Sequence, residues 1–103
     1  MHPLLKHPLL DCDVEEAALW YHLRNPIVVG RLIDSVEATL RTVAEDPLRF
    51  SVRFGEIRRA KVPAFPLSVY FTVESNGVFV LALIHGAQDI ESILKSRARS
   101  DLE

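Results

Sequence analysis

Apolar residues recur along this chain with two periods, and the change falls near residue 47. Before it, spacings of three and four dominate. Val29, Leu32, Ile33, Val36, Leu40 and Val43 mark one face of a helix, while Arg31, Asp34, Glu37 and Arg41 fill the other. "EDP" (45–47) stops it, because the residue before a proline avoids helical geometry. Upstream, Leu10, Val14, Ala17, Ala18 and Tyr21 mark a first helix that opens after Pro8 and ends at "RNP" (24–26). Asp11, Asp13, Glu15 and Glu16 sit near its N-terminus, where the helix dipole favours negative charge. The two helices form an antiparallel hairpin. "LLKH" (4–7) is a short edge strand before them.

After residue 47 the period is two. In "FSVRFGEIRRAKV" (50–62), Gly55 breaks or bulges a strand. Ile57, Arg59 and Lys61 then point to one side, and Arg58, Ala60 and Val62 to the other. "LSVYFTVE" (67–74) alternates between Val69, Phe71, Val73 and Ser68, Tyr70, Thr72. "SNG" (75–77) is a hairpin turn, and "VFVLALIH" (78–85) is nearly all apolar, as befits a strand in the middle of a sheet or covered on both faces. "IESILKSRARSDLE" (90–103) is a short helix fraying into charge. The order β-α-α-β-β-β-(α) predicts an α+β fold, a helical hairpin packed on one face of a small antiparallel sheet. At 103 residues the chain makes one domain, with a core over 4–94 and a charged tail over 95–103.

Composition narrows the function classes. Apolar residues make up 49% and charged residues 25%, which excludes a disordered chain. No apolar run is long enough to span a bilayer, so no membrane role is expected. The single cysteine, Cys12, forms no intramolecular disulfide and suits the cytoplasm; it is read as a passive thiol. The net charge of −2 conceals an asymmetry. Residues 1–46 carry four Lys/Arg against eight Asp/Glu, a net of −4. Residues 47–61 carry Arg49, Arg53, Arg58, Arg59 and Lys61 against Glu56, a net of +4. Such a patch meets nucleic acid or an acidic protein, or is a solvated strand face. His2, His7 and His22 lack metal-ligand spacing, and no metal or cofactor is expected.

Four segments, taken in order, carry a family resemblance. They are "VEEAALWY" (14–21), "EATLRTVAEDPLRF" (37–50), "GEIRRAKVPAFPLSVYFTVE" (55–74) and "VLALIHGAQD" (80–89). Together they resemble the RelE/ParE superfamily of bacterial type II toxin–antitoxin toxins, and more closely its ParE branch, often called plasmid stabilisation proteins. The resemblance implies the same fold. It also implies a cognate antitoxin and a target reached by protein binding, DNA gyrase in the ParE branch. The RelE branch instead implies a ribosome-dependent cut in mRNA, with cations stabilising a phosphorane and a side chain moving the proton.

On this chain the basic sheet positions of that branch match Arg58, Arg59 and Lys61. Its late arginine falls at Gln88 and its C-terminal tyrosine at Leu94. Gln88 donates a hydrogen bond but neutralises no charge, so the resemblance points away from RNA cleavage. If cleavage does occur, Arg59, Lys61 and His85 are its candidates, since histidine titrates near neutrality. For binding an antitoxin or target, the candidates are Arg58, Arg59, Lys61, Tyr70, His85, Gln88 and Asp89. The antitoxin is expected across the helical hairpin and the exposed sheet face. The plain readings stand beside these. His85 is a hydrogen-bonded strand end, and Asp89 caps the tail helix or pairs with an arginine. Trp20 and Tyr21 pack helix on sheet, and one of Arg58 and Arg59 pairs with Glu37, Asp34 or Glu56. Tyr70 either lies on the surface or caps a groove. A folded module without toxicity and a homodimer are the remaining possibilities.

Overall fold

The computed structural model describes residues 1–86 and 88–97. Its elements are β1 (Leu4–Lys6), α1 (Leu10–Arg24), α2 (Val29–Glu45), β2 (Val52–Phe54), β3 (Ile57–Lys61), β4 (Leu67–Glu74), β5 (Gly77–His85) and α3 (Ile90–Arg97). Short 3-10 turns at Pro26–Val28 and Pro47–Arg49 follow the two long helices. The strands lie in the order β1-β5-β4-β3-β2.

Every pairing is antiparallel except that of β1 with β5, so the antiparallel sheet expected from the sequence is a mixed one. The parallel pair forms because the whole helical hairpin separates β1 from the rest of the sheet. His7 N–H donates to Val80 O at 2.9 Å, and Val78 N–H donates to Pro3 O at 2.9 Å. Gly77 makes the close approach possible. Its φ is +141°, and a Cβ there would stand 2.5 Å from Pro3 O.

The stretch 50–62 is two strands rather than one. Gly55, at φ +54°, turns the chain so that β2 and β3 pair as a hairpin. The "SNG" turn joins β4 to β5, with Glu74 opposite Gly77.

Two apolar layers sandwich the sheet. On one side α1 and α2 bring Leu10, Leu32, Val36 and Val43 onto Val62, Val69, Phe71 and Val80. Thr39 is buried in this layer of helices, and its hydroxyl donates to Ser35 O at 2.8 Å. On the other side α3 sets Leu94 over Tyr70, Leu81 and Ile84. The sheet face expected to be open is therefore partly roofed. Tyr70 is 2% exposed, so it neither lies on the surface nor reaches a partner while α3 is docked.

A bulge in β5 decides what the site looks like. Tyr70 pairs with Ala82 but the next residue, Phe71, pairs with Val80, which leaves Leu81 as the extra residue. Val78 and Val80 face the α1–α2 layer, and Phe79 and Leu81 face α3. Beyond the bulge the alternation inverts: Ala82 and Ile84 face α3, and Leu83 faces α1–α2. The unbroken run of apolar residues in β5 thus reflects two covered faces.

Candidate functional site

Chemistry-bearing side chains gather in three places. The first is the β2–β3 margin. Arg49, Arg53, Arg59 and Lys61 line one cleft with Phe50 and Ser51. Among the described residues no carboxylate lies within ion-pair distance of these four. Arg59 and Lys61 share a face because they are two apart on a strand, and the hairpin brings Arg53 beside them. Their combined positive potential suits an acidic segment or a phosphate chain. Arg58 points the other way. Its Nη1 donates to Phe50 O at 2.7 Å and ties the strand to the turn after α2. Among the described residues neither Arg58 nor Arg59 forms the expected pair with Glu37, Asp34 or Glu56; Arg58 is held by the Phe50 carbonyl instead.

The second is the corner at the end of β5. Gln88 Oε1 accepts from His85 N–H at 2.7 Å, and Gln88 N–H donates back to His85 O at 3.0 Å. Gln88 therefore closes the strand end with its own side chain. Asp89 Oδ1 accepts from Ser92 N–H at 3.3 Å, which caps the first turn of α3. The His85 ring stands 6.0 Å from the Trp20 ring, on the α1 side of the sheet. Arg59 and Lys61 lie on the strand face shared with Ile57 and Tyr70, which belongs to the α3 side. The fold does not bring the three conditional cleavage residues together. The bulge in β5 turns His85 away from the two cations.

The third was not singled out from the sequence. Asp13 and Arg97 form a two-pronged ion pair with side chains only 11% and 12% exposed, one prong being Nη2 to Oδ1 at 3.0 Å. Asp13 Oδ2 also accepts from Leu83 N–H at 3.0 Å, and Arg97 Nη1 donates to Leu81 O at 3.2 Å. β1 stops at Lys6, so among the described residues β5 has no strand neighbour on that side beyond the bulge. The ion pair and Gln88 occupy those backbone groups, and the edge is closed to a further strand. Because 84 positions separate the two residues, spacing gave no sign of the pair.

Beside the ion pair, Glu16, Ala17, Trp20, Tyr21, Leu67, Leu83 and His85 line a cleft of about 440 Å³. Tyr21 packs edge-on against Phe65 at 5.3 Å. Trp20, expected to pack on the sheet, is instead 44% exposed, with the Arg24 guanidinium 3.7 Å above its ring. Among the described residues there is no group of His, Cys, Asp and Glu that could hold a metal ion. No helix of the described residues is long and apolar enough to cross a membrane.

A protein-family model described as "ParE toxin of type II toxin-antitoxin system, parDE" matches residues 6–90. The chain belongs to the ParE toxin family. Its shape agrees. A solved structure described as "Chromosomal ParDE TA system from P. aeruginosa" superposes with a TM-score of 0.72, covering 82% of this chain and 96% of that one. At 13% identity that likeness speaks for the fold alone. No curated protein matches the chain. Membership makes the chain the toxin component of a type II module, and such a module includes an antitoxin. The matched span stops at Ile90, so most of α3, which roofs Tyr70, lies beyond it.

Proposed function

We propose that this ParE-family chain acts by binding a protein target of the DNA gyrase type, and that its cognate antitoxin neutralises it. The observation that carries this reading is the division of the conditional cleavage set. Arg59 and Lys61 look out from one face of the sheet, and His85 lies beyond the bulge on the other. Gln88 is committed to the strand end, and Leu94, on the inner face of α3, is buried against the sheet. A phosphoryl transfer needs cations and a proton carrier around one phosphate. These residues offer no common point for it.

The cationic cleft supports a binding role instead. Arg49, Arg53, Arg59 and Lys61 would receive an acidic arm of the antitoxin, whose apolar residues would continue onto the helical hairpin. This narrows the expected docking area, because α3 occupies the centre of the sheet face.

The test is expression of the chain alone and together with its neighbouring small reading frame. Growth arrest alone, relieved by the neighbour, is the expected result. Unaffected growth with the chain expressed and folded would refute toxicity and leave a folded interaction module.

A further inference from the structure

The outer face of α1 carries apolar side chains that no element of the described residues covers. Leu19 and Leu23 are 57% and 72% exposed, exposed Cys12 continues the same line, and Ile27, 82% exposed, stands in the 3-10 turn just past the end of the helix. The inner face of the helix is already used by Leu10, Val14, Ala17 and Tyr21. The helix is therefore apolar on two opposite sides, and only one of them is covered.

We propose that two copies of this chain pair through the outer faces of α1, antiparallel, about a two-fold axis near Leu19. The charges along the helix single out that partner and that direction. Its first half carries Asp11, Glu15 and Glu16, and its second half carries His22 and Arg24. None of these five has an ion-pair partner among the described residues. An antiparallel pair sets each acidic half against the basic half of the other copy, with Glu16 near the second copy's Arg24. It also sets Leu19 on its own equivalent, and Cys12 near the turn after the second copy's α1, which carries Ile27. A parallel pair would place acid on acid. A surface complementary to itself under a two-fold rotation is what an isologous interface requires. One pair of short helices gives a small interface, so a dissociation constant on the order of micromolar is expected.

The test begins with sedimentation of the purified chain over a wide concentration range. The wild type should move from monomer to dimer. Leu23→Glu, at an exposed position that the fold does not use, should weaken the dimer by about tenfold or more. Glu16→Lys should weaken it too, and Glu16→Lys with Arg24→Glu should restore it. Direction is read by oxidation. Ile27→Cys should give a covalent dimer through Cys12 of the other copy, and Ile27→Cys with Cys12→Ser should not.

A chain that stays monomeric at every concentration overturns the proposal, as does a dimer indifferent to Leu23→Glu. A wild-type chain that oxidises through Cys12 to Cys12 overturns the antiparallel arrangement. A monomer in which Leu23→Glu abolishes capture of the co-expressed antitoxin assigns this face to the antitoxin and ends the self-pairing account. These readouts use neither growth nor gyrase, so their failure is distinct from failure of the toxin reading.

Discussion

The Asp13–Arg97 pair should be worth far more than a surface salt bridge, and a double-mutant cycle will measure it. Exposed pairs contribute about 0–1 kcal/mol, because water screens them and both side chains lose entropy. This pair is nearly enclosed, and each partner makes a second bond to the edge of β5. Among the described residues, Asp13→Ala leaves the Arg97 guanidinium with one carbonyl, that of Leu81, and leaves Leu83 N–H without its acceptor. Stranding a mostly buried charge costs roughly 3–5 kcal/mol, and the residual access to water argues for the lower end, about 3 kcal/mol. Arg97→Ala should cost less, about 2 kcal/mol, because Asp13 keeps its bond from Leu83.

The double variant should cost well under the sum, with a coupling of about 2 kcal/mol. Urea unfolding is the assay. With a slope of about 1–1.5 kcal/mol per molar for a chain of this size, Asp13→Ala should lower the midpoint by about 2 M or more at unchanged slope. The coupling should persist in high salt, since an enclosed pair is screened little. A coupling below about 0.5 kcal/mol, or one that vanishes in salt, would show that the pair behaves as a surface contact and that α3 is held by its apolar face alone.

Other perturbations test other joints of the fold. Gly77→Ala places a methyl group against Pro3 O at a backbone angle that side chains rarely adopt; thermal unfolding should show about 1–3 kcal/mol lost, and proteolysis should open the N-terminal strand first. His7 is held below its ordinary pKa, first by burial and then by the positive charge of Arg97, partly offset by Asp13. Its folded pKa lies below the unfolded one, so its contribution is fully present above about pH 6.5 and is lost as the pH falls through the folded value. The His7→Gln variant should lose less of its urea midpoint than the wild type between neutral and mildly acidic pH. Arg59→Glu with Lys61→Glu reverses two of the four charges in the basic cleft, so calorimetry should find antitoxin binding at least tenfold weaker and much less salt-dependent, with unfolding unchanged.

Several of these features are legible from residue order and several are not, for physical reasons. α2 has one apolar stripe and one charged face, and its limits follow from Pro26 and Pro47. α1 is apolar on two sides, so periodicity finds the helix but does not tell which side meets the sheet. β1 has three residues, too few to show alternation, and its parallel partner is more than seventy positions away. Alternation puts Arg59 and Lys61 on a common face. It cannot place His85 relative to them, because the bulge at Leu81 inverts the parity of β5 and leaves no mark in a run of apolar residues. Tyr70 reads as polar-face because Ser68 and Thr72 flank it, yet α3 covers it through Leu94. The Asp13–Arg97 pair depends on tertiary approach alone. The charged tail expected over 95–103 falls partly outside the described residues, as does the closing Leu-Glu at 102–103.

The most direct test of the central claim is a supercoiling assay with purified DNA gyrase, relaxed plasmid and increasing amounts of the chain. Inhibition should rise with the chain and be reversed by its co-purified antitoxin, with translated mRNA left intact in a parallel primer-extension reaction. Undiminished supercoiling, together with codon-associated cleavage of that mRNA that is lost on Lys61→Ala or His85→Ala, would contradict it.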